Sequence, residues 1–249
     1  MTVWSDWRKR LGGSYWLWRV YHAVVSDAVS LQRPTKFKRV YEYLAGDLGR
    51  AADIGCGPGV FLPHLHDKAT VVFAVDADEA TLRSVKARHG KLTNLRCVRS
   101  LVDQLPFRNG QLDTVLFLEV LEHLTDDSAG LREVHRVLVP GGKLVLSVPM
   151  PPGEINPDDP WGHKREGYTF AQLQGLLTDQ GFELQKHSFA QFKFSRFAEI
   201  LVRRWRQSFR VPAPIFLSWF CYLDFLLSAQ GREKGDYLPS CVMVMARKV

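Results

Sequence analysis

The sequence predicts an α/β domain built on a doubly wound, mostly parallel sheet. From residue 51 to about 149, short β-branched runs alternate with longer amphipathic stretches, which is the pattern of consecutive βαβ units. Three glycines lie where the first predicted strand joins the first helix. The 249 residues, 46% apolar and 24% charged, suffice for one large domain with a buried core, which excludes disordered and low-complexity chains.

The spacing of apolar residues predicts the elements of the core in order. Strands are predicted at residues 50–54, 70–75, 95–98, 114–118 and 143–148. Helices are predicted between them at residues 60–66, 79–89 and 127–138. The last helix is followed by Pro140-Gly141-Gly142, which predicts that a turn joins it to the next strand.

The remaining chain predicts the rest of the sheet and a long insertion. Residues 149–160 (PMPPGEINPDDP) predict a loop over the sheet edge, because proline fits no regular element there. A helix is then predicted at 170–180, ended by Gly181, and strands at 182–186 and 240–246. We therefore expect a single domain over 1–249: an N-terminal helical lid (1–49), a core (50–150) and a C-terminal part (151–249) with an aromatic and basic insertion at about 190–237.

Cysteine usage and charge narrow the class of protein. The four cysteines follow no regular spacing, so neither a disulfide framework nor a metal site is expected, and a reducing, cytoplasmic location is the default. No apolar run followed by a small-residue cleavage site opens the sequence. The net charge of +7 is uneven, with −4 on residues 51–191 and a positive excess on both flanks. Without a dense Lys/Arg stripe, no nucleic-acid partner is expected, and RNA stays an alternative substrate.

The segment from Asp53 to Gly59 (DIGCGPG) indicates a nucleoside cofactor that carries positive charge. Its glycines permit a tight turn and close approach of a ligand to the backbone. Asp76 follows Asp53 by 23 residues, near the spacing of about 20 for a carboxylate that binds ribose hydroxyls. A dinucleotide fingerprint would need glycine where Val60 stands, and Asp53 would repel a pyrophosphate but attract a sulfonium or amino group. An NAD-dependent oxidoreductase is therefore the least favoured alternative.

Further motifs follow this loop in order. They are Leu105-Pro106-Phe107, residues 112–123 (LDTVLFLEVLEH) and residues 131–142 (LREVHRVLVPGG). With the loop and Asp76, they resemble the class I S-adenosylmethionine-dependent methyltransferases of the small type 11 kind, over about residues 50–150. The resemblance implies a Rossmann-like sheet of about seven strands with an antiparallel last strand. It also implies S-adenosyl-L-methionine as cofactor and methyl transfer by in-line displacement.

The resemblance implies a cofactor-binding role for each residue that matches the family's motifs. These residues are Asp53, Gly55, Cys56, Gly57, Gly59, Asp76, Ala77, Val102, Asp103, Leu118 and Glu119. The glycines and Asp53 would hold the methionine portion, and Asp76 the ribose. Ala77, Val102 and Asp103 would lie near the adenine, while Leu118 and Glu119 would close the methionine side. The chain departs from the family at Leu101, where an acid is usual.

Residues on the predicted acceptor side have two interpretations each. His123 and His163 are candidate catalytic bases for an acceptor that must lose a proton, or else capping or packing residues. Glu166 and Tyr168 either line the substrate pocket or belong to a charged loop with Tyr168 packed inside.

The apolar run 214–227 bears on the acceptor and on membranes. It is shorter than the 18–20 clean apolar residues of a membrane span, and Asp224 interrupts it. We favour a buried helix over the acceptor pocket, with peripheral membrane contact through residues 203–227 as the alternative. Both favour a small-molecule acceptor that is bulky or lipid-like. An RNA methyltransferase and a non-catalytic nucleoside-binding module remain alternative functions.

Overall fold

The computed structural model describes residues 39–151, 162–190 and 241–249. The chain divides into two compact units, residues 39–188 with 240–249 and residues 1–38 with 189–239. The first unit contains the sheet. Several predicted segments lie wholly or largely outside the described residues. They are residues 1–38 of the predicted lid (1–49), most of the predicted loop 149–160, and almost all of the insertion at 190–237, including the segment 203–227. Among the helices that are described, none is long and apolar enough to cross a membrane.

A seven-stranded sheet forms the framework of the first unit, with strand order β3-β2-β1-β4-β5-β7-β6. Strands β1 to β5 pair in parallel and β7 runs antiparallel to β5. The predicted fold class is confirmed, including the antiparallel last strand. The strands are β1 (Gly49–Ile54), β2 (Ala69–Asp76), β3 (Leu95–Arg99), β4 (Leu112–Leu118), β5 (Leu138–Pro149), β6 (Phe182–Ala190) and β7 (Cys241–Lys248).

Four described helices follow the predicted positions to within two residues at each end. They are α1 (Leu62–His66), α2 (Glu79–His89), α3 (Asp127–Val137) and α4 (Phe170–Asp179). The caps explain where three of them begin. The Asp78 carboxylate accepts from the first turn of α2, Asp126 does the same for α3, and Thr169 forms a capping box with Gln172 at α4.

The junction between α3 and β5 contains the predicted turn, but the turn lies inside the strand. Strand β5 begins at Leu138, directly after the helix, and Pro140-Gly141-Gly142 lies inside the strand. Leu112 pairs with Leu138 but Thr114 pairs with Lys143, so residues 139–142 form a bulge. The last residues of β7 satisfy the carbonyls around the bulge, because Arg247 donates to Gly141 O and Lys248 Nζ donates to Leu138 O. The predicted turn is present, since Gly141 has φ 72° and a Cβ built on Gly142 would lie 2.7 Å from Val139 O. The pairing of Leu138 with Leu112 ahead of this turn was not predicted, because it depends on a distant strand.

The buried centre of the sheet fixes where a ligand can bind. The middle residues of β1, β4 and β5 are buried along their length, with Phe117, Leu116 and Leu144 among the largest fully enclosed side chains. Strand order reverses between β1 and β4, whose carboxyl ends lie side by side at one edge. Such a switch point is where open α/β sheets bind ligands.

Candidate functional site

The loop after β1 is shaped by glycines in left-handed conformations. Gly55 has φ 71° and a Cβ there would lie 2.4 Å from Val120 Cγ2, so the loop packs too closely against the end of β4 for any side chain. Gly57 has φ 47°, but nothing lies within 4 Å of a Cβ built on it. The backbone at Gly57 therefore faces open space at the switch point, where a ligand can approach it closely.

Asp76, the last residue of β2, joins this loop to the neighbouring strand. Its Oδ2 accepts from Gly57 N at 3.0 Å and its Oδ1 accepts from Asp78 N at 3.0 Å. The backbone N–H of Ser100, just after β3, donates to Asp76 O at 3.1 Å. Each carboxylate oxygen retains a second lone pair, so Asp76 can still accept from two hydroxyl groups.

Asp53 is a buried carboxyl at the base of the same loop. It is 4% exposed, and burial, with a smaller contribution from the charge of Asp76, raises its pKa to about 7. A cationic group placed beside Asp53 would favour the charged form and return the pKa toward its usual range. Open backbone at Gly57, acceptor oxygens on Asp76 and an uncompensated carboxyl at Asp53 together fit a positively charged nucleoside such as S-adenosylmethionine.

Cys56 has the role of a packing residue in the loop. Its side chain is buried, and burial raises the pKa of the thiol well above its usual range. A thiol that stays protonated is a poor nucleophile. The structure thus gives Cys56 no catalytic chemistry of its own and places it in the wall of the predicted cofactor site.

The predicted adenine residues lie on the β3 side of Asp76. Val102 and Asp103 belong to a 3₁₀ turn (Val102–Gln104), and Arg99 Nε donates to Ala77 O at 3.1 Å. Leu101, the position at which the family usually has an acid, is 58% exposed. The structure therefore gathers Ala77 and the 102–104 turn at one end of the site, while the contacts that would bind adenine remain predictions.

Glu119, directly after β4, adopts an unusual backbone conformation. Its φ is 56°, and among the residues that the structure describes it is the one non-glycine with positive φ. Its Oε1 accepts from Ser147 Oγ at 2.8 Å and from Cys241 Sγ at 3.7 Å. Ser147 and Cys241 belong to β5 and β7, so the carboxylate turns away from β1. The contacts of Glu119 and Leu118 with the methionine portion stay predictions.

A second group of side chains lies beyond β4, on a 3₁₀ turn (Leu121–His123) and the loop around His163. The rings of His123 and His163 are 4.6 Å apart between centroids, with their planes at 29°. Glu122 is fully buried, and one ligand atom from each of Glu122, His123 and His163 lies within 4.8 Å of the others. The sequence indicated the two histidines as separate candidates and gave Glu122 no role, although its position beside His123 at a strand end was an available signal.

The loop 162–168 is fastened to this turn by backbone and side-chain bonds. Lys164 N donates to Glu122 O at 2.9 Å, and Arg165 Nη2 donates to Leu124 O at 2.7 Å and pairs with Asp127 through Nη1. Tyr168 is 5% exposed, and its hydroxyl donates to Asp127 Oδ2 at 2.9 Å. Tyr168 is thus packed inside the fold, and its predicted place in the substrate pocket remains a prediction. Glu166 is exposed, and its pocket role remains a prediction.

Comparisons with known sequences agree with this geometry. Residues 52–146 match the family described as a methyltransferase domain. A probable S-adenosylmethionine-dependent methyltransferase of Mycolicibacterium smegmatis is 35% identical over 137 residues, 53% of this chain and 51% of that protein. A ubiquinone biosynthesis O-methyltransferase of Pseudomonas aeruginosa is 32% identical over 103 residues, 39% of this chain and 43% of the relative. The chain thus spans about half the length of the curated relatives it matches.

Solved structures share the fold. An S-adenosylmethionine-dependent methyltransferase from Mesorhizobium loti matches with a TM-score of 0.60 and 21% identity, over 88% of this chain and 100% of that one. The N-methyltransferase NodS from Bradyrhizobium japonicum, solved with S-adenosyl-L-homocysteine, matches with a TM-score of 0.56 and 15% identity, over 86% of this chain and 88% of that one. At such identities the likeness shows the fold alone.

Proposed function

We propose that this chain, whose residues 52–146 match a methyltransferase domain, is a class I S-adenosylmethionine-dependent methyltransferase that acts on a small-molecule acceptor that is bulky or lipid-like. The observation that carries the proposal is the pair of carboxyls Asp53 and Asp76 on either side of an open glycine backbone at the β1–β4 switch point. This arrangement favours a ribose beside a positive charge, whereas a dinucleotide would bring a ribose but also a pyrophosphate, which Asp53 would repel.

The cofactor is S-adenosyl-L-methionine, whose sulfonium makes its methyl carbon open to in-line displacement by an acceptor atom. The loop would approach it with its backbone at Gly57, since nothing lies within 4 Å of a Cβ built there. Asp76 would accept from the ribose hydroxyls, and Asp53 would face the amino group. These residues orient the cofactor and exclude water, and fixed geometry of this kind supplies several kcal/mol of the rate enhancement in such transfers.

The acceptor would meet the part of the edge beyond β4. His123 and His163 lie there side by side, and Glu119 turns its carboxylate toward the same half of the sheet. One matching relative is named an O-methyltransferase of ubiquinone biosynthesis, which supports a hydroxyl on a lipid-like molecule as the acceptor. The apolar and basic composition of residues 203–227 supports the same class.

A labelling experiment tests the acceptor class. The full chain would be incubated with S-adenosylmethionine carrying a labelled methyl group and, separately, with the lipid extract, the polar metabolites and the RNA of its source. The proposal predicts label in the lipid fraction, which is lost in Asp76→Ala because the cofactor is no longer held. Label in RNA would favour the alternative RNA methyltransferase, and label in no fraction despite cofactor binding would favour a non-catalytic module.

A further inference from the structure

We propose that Glu122, His123 and His163 form a site for one divalent transition-metal ion at the acceptor edge of the sheet. No metal was expected from the sequence, because no set of cysteines or carboxylates has the spacing of metal ligands. The fold brings His163 to Glu122 and His123 across forty residues of chain. Within the described ranges, this is the one group of three His, Cys, Asp or Glu side chains that could hold an ion.

The distances suit coordination after small side-chain rotations. The three ligand atoms lie within 4.8 Å of one another. An ion that binds nitrogen and oxygen at about 2.0–2.2 Å holds neighbouring ligand atoms roughly 3–3.5 Å apart. Closing that difference requires each ligand atom to move by about an ångström, and turning the two imidazoles from 29° toward a common ion is a rotation of their terminal torsions.

Contacts with neighbouring residues hold the three side chains close to the positions that coordination requires. Glu122 and His123 are adjacent on one 3₁₀ turn, and Lys164 N donates to Glu122 O, which ties the residue after His163 to that turn. Arg165 and Tyr168 extend the attachment through Leu124 and Asp127. Fixed supporting contacts of this kind orient metal ligands and strengthen binding.

The chemistry of the three groups indicates the class of ion. Two imidazoles and one carboxylate suit zinc, manganese, iron or cobalt, whereas magnesium and calcium prefer oxygen ligands throughout. A buried carboxylate with two half-exposed histidines makes a site that is closed toward the core and open outward. Three protein ligands leave further positions free for water or a substrate oxygen, as in catalytic sites.

A catalytic role for the ion rests on the proposed function, whereas the binding of the ion does not. An acceptor hydroxyl on an open coordination position would be fixed in place, and its proton would pass more readily to solvent because the ion stabilises the oxyanion. In that case His123 and His163 act as ligands and not as the bases considered from sequence.

Cobalt titration of the full chain tests the site. Wild-type protein, freed of metal by chelation, is expected to bind one Co²⁺ per chain and to develop visible d–d absorption, with Zn²⁺ displacing it. His163→Gln and Glu122→Gln are each expected to weaken Co²⁺ binding at least tenfold, in line with the loss of one ligand. His66→Gln is the matched control, because His66 Nδ1 pairs with the Asp67 carboxylate at 2.9 Å on the surface and should not affect the absorption.

Each outcome of the cobalt titration either supports or overturns the ion site. No stoichiometric binding, or an equal loss in His66→Gln, means adventitious surface binding only and overturns the proposal. Should buried Glu122→Gln fail to fold, the half-exposed His163→Gln gives the same test. Calorimetry with S-adenosylhomocysteine on the same variants separates the two proposals: unchanged nucleoside affinity with lost cobalt supports the ion site, while cobalt binding without nucleoside binding would contradict only the proposed function.

Discussion

The buried environment of Asp53 is the strongest indication that the ligand is positively charged. With its pKa raised to about 7 by burial and by Asp76, a large part of this carboxyl is protonated in the free protein near neutral pH. A cationic cofactor prefers the ionised form, so binding must displace the proton. The affinity for the cofactor is thereby coupled to pH through a single side chain.

The first prediction concerns that coupling. Because about one tenth of Asp53 is ionised at pH 6 and most of it at pH 7.5, the dissociation constant for S-adenosylmethionine should be roughly tenfold larger at pH 6. Asp53→Asn should bind weakly at both values and lose the dependence. Calorimetry at pH 6 and pH 7.5 measures the dissociation constant of both proteins. A wild-type affinity that is flat over this range would contradict the role of Asp53.

A second prediction follows for stability without cofactor. The folded pKa of Asp53 lies above the unfolded value of about 3.8, so the folded state holds more protons and the free energy of unfolding falls as pH rises from about 4 to 7. Asp53→Asn removes this fall in the free energy of unfolding, because asparagine does not ionise. The variant should be more stable than wild type at pH 8, by on the order of 1–3 kcal/mol, and the gap should shrink toward pH 4. Thermal unfolding at several pH values checks this, and a variant less stable at pH 8 would refute it.

At the scale of elements, the loop after β1 offers a matched pair of glycines. Gly55→Ala should destabilise the fold strongly, because its methyl group would overlap Val120 in addition to the positive φ. Gly57→Ala meets no neighbour, so it should cost only about 1 kcal/mol of backbone strain yet weaken nucleoside binding at least tenfold. Thermal melts and calorimetry on both variants separate the effects. If Gly57→Ala binds the nucleoside as wild type does, the open space at Gly57 is not the ligand site.

The strands and helices also show which features of the fold local sequence can predict. Apolar alternation predicted β1 to β4 and the helices between them to within two residues, because their signals are local. The turn at 140–142 was predicted, but its place inside β5 was not, since the bonds that Arg247 and Lys248 donate to Gly141 O and Leu138 O come from the other end of the chain. For the same reason the sequence indicated His123 and His163 separately but not their contact, which depends on the bond from Lys164 to Glu122.

On the scale of the whole molecule, the order of strands is what assembles the site. Strands β1 and β4 are adjacent although β2 and β3 lie between them in sequence, so the glycine loop, Asp76 and the turn after β4 meet at one edge. The cofactor residues that the family resemblance implied lie on these segments, and their roles stay predictions. On the acceptor side, the contact between His123 and His163 joins segments far apart in sequence, so local patterns could not predict it.

The central claim is that this edge binds a positively charged sulfur nucleoside, and calorimetry on wild type and Asp76→Ala tests it most directly. Wild type should bind S-adenosylmethionine and S-adenosylhomocysteine one to one, Asp76→Ala should bind them at least tenfold more weakly, which is about 1.4 kcal/mol, and NAD should give no measurable heat. Undiminished binding by Asp76→Ala, or tight binding of NAD in place of the sulfur nucleosides, would contradict the account.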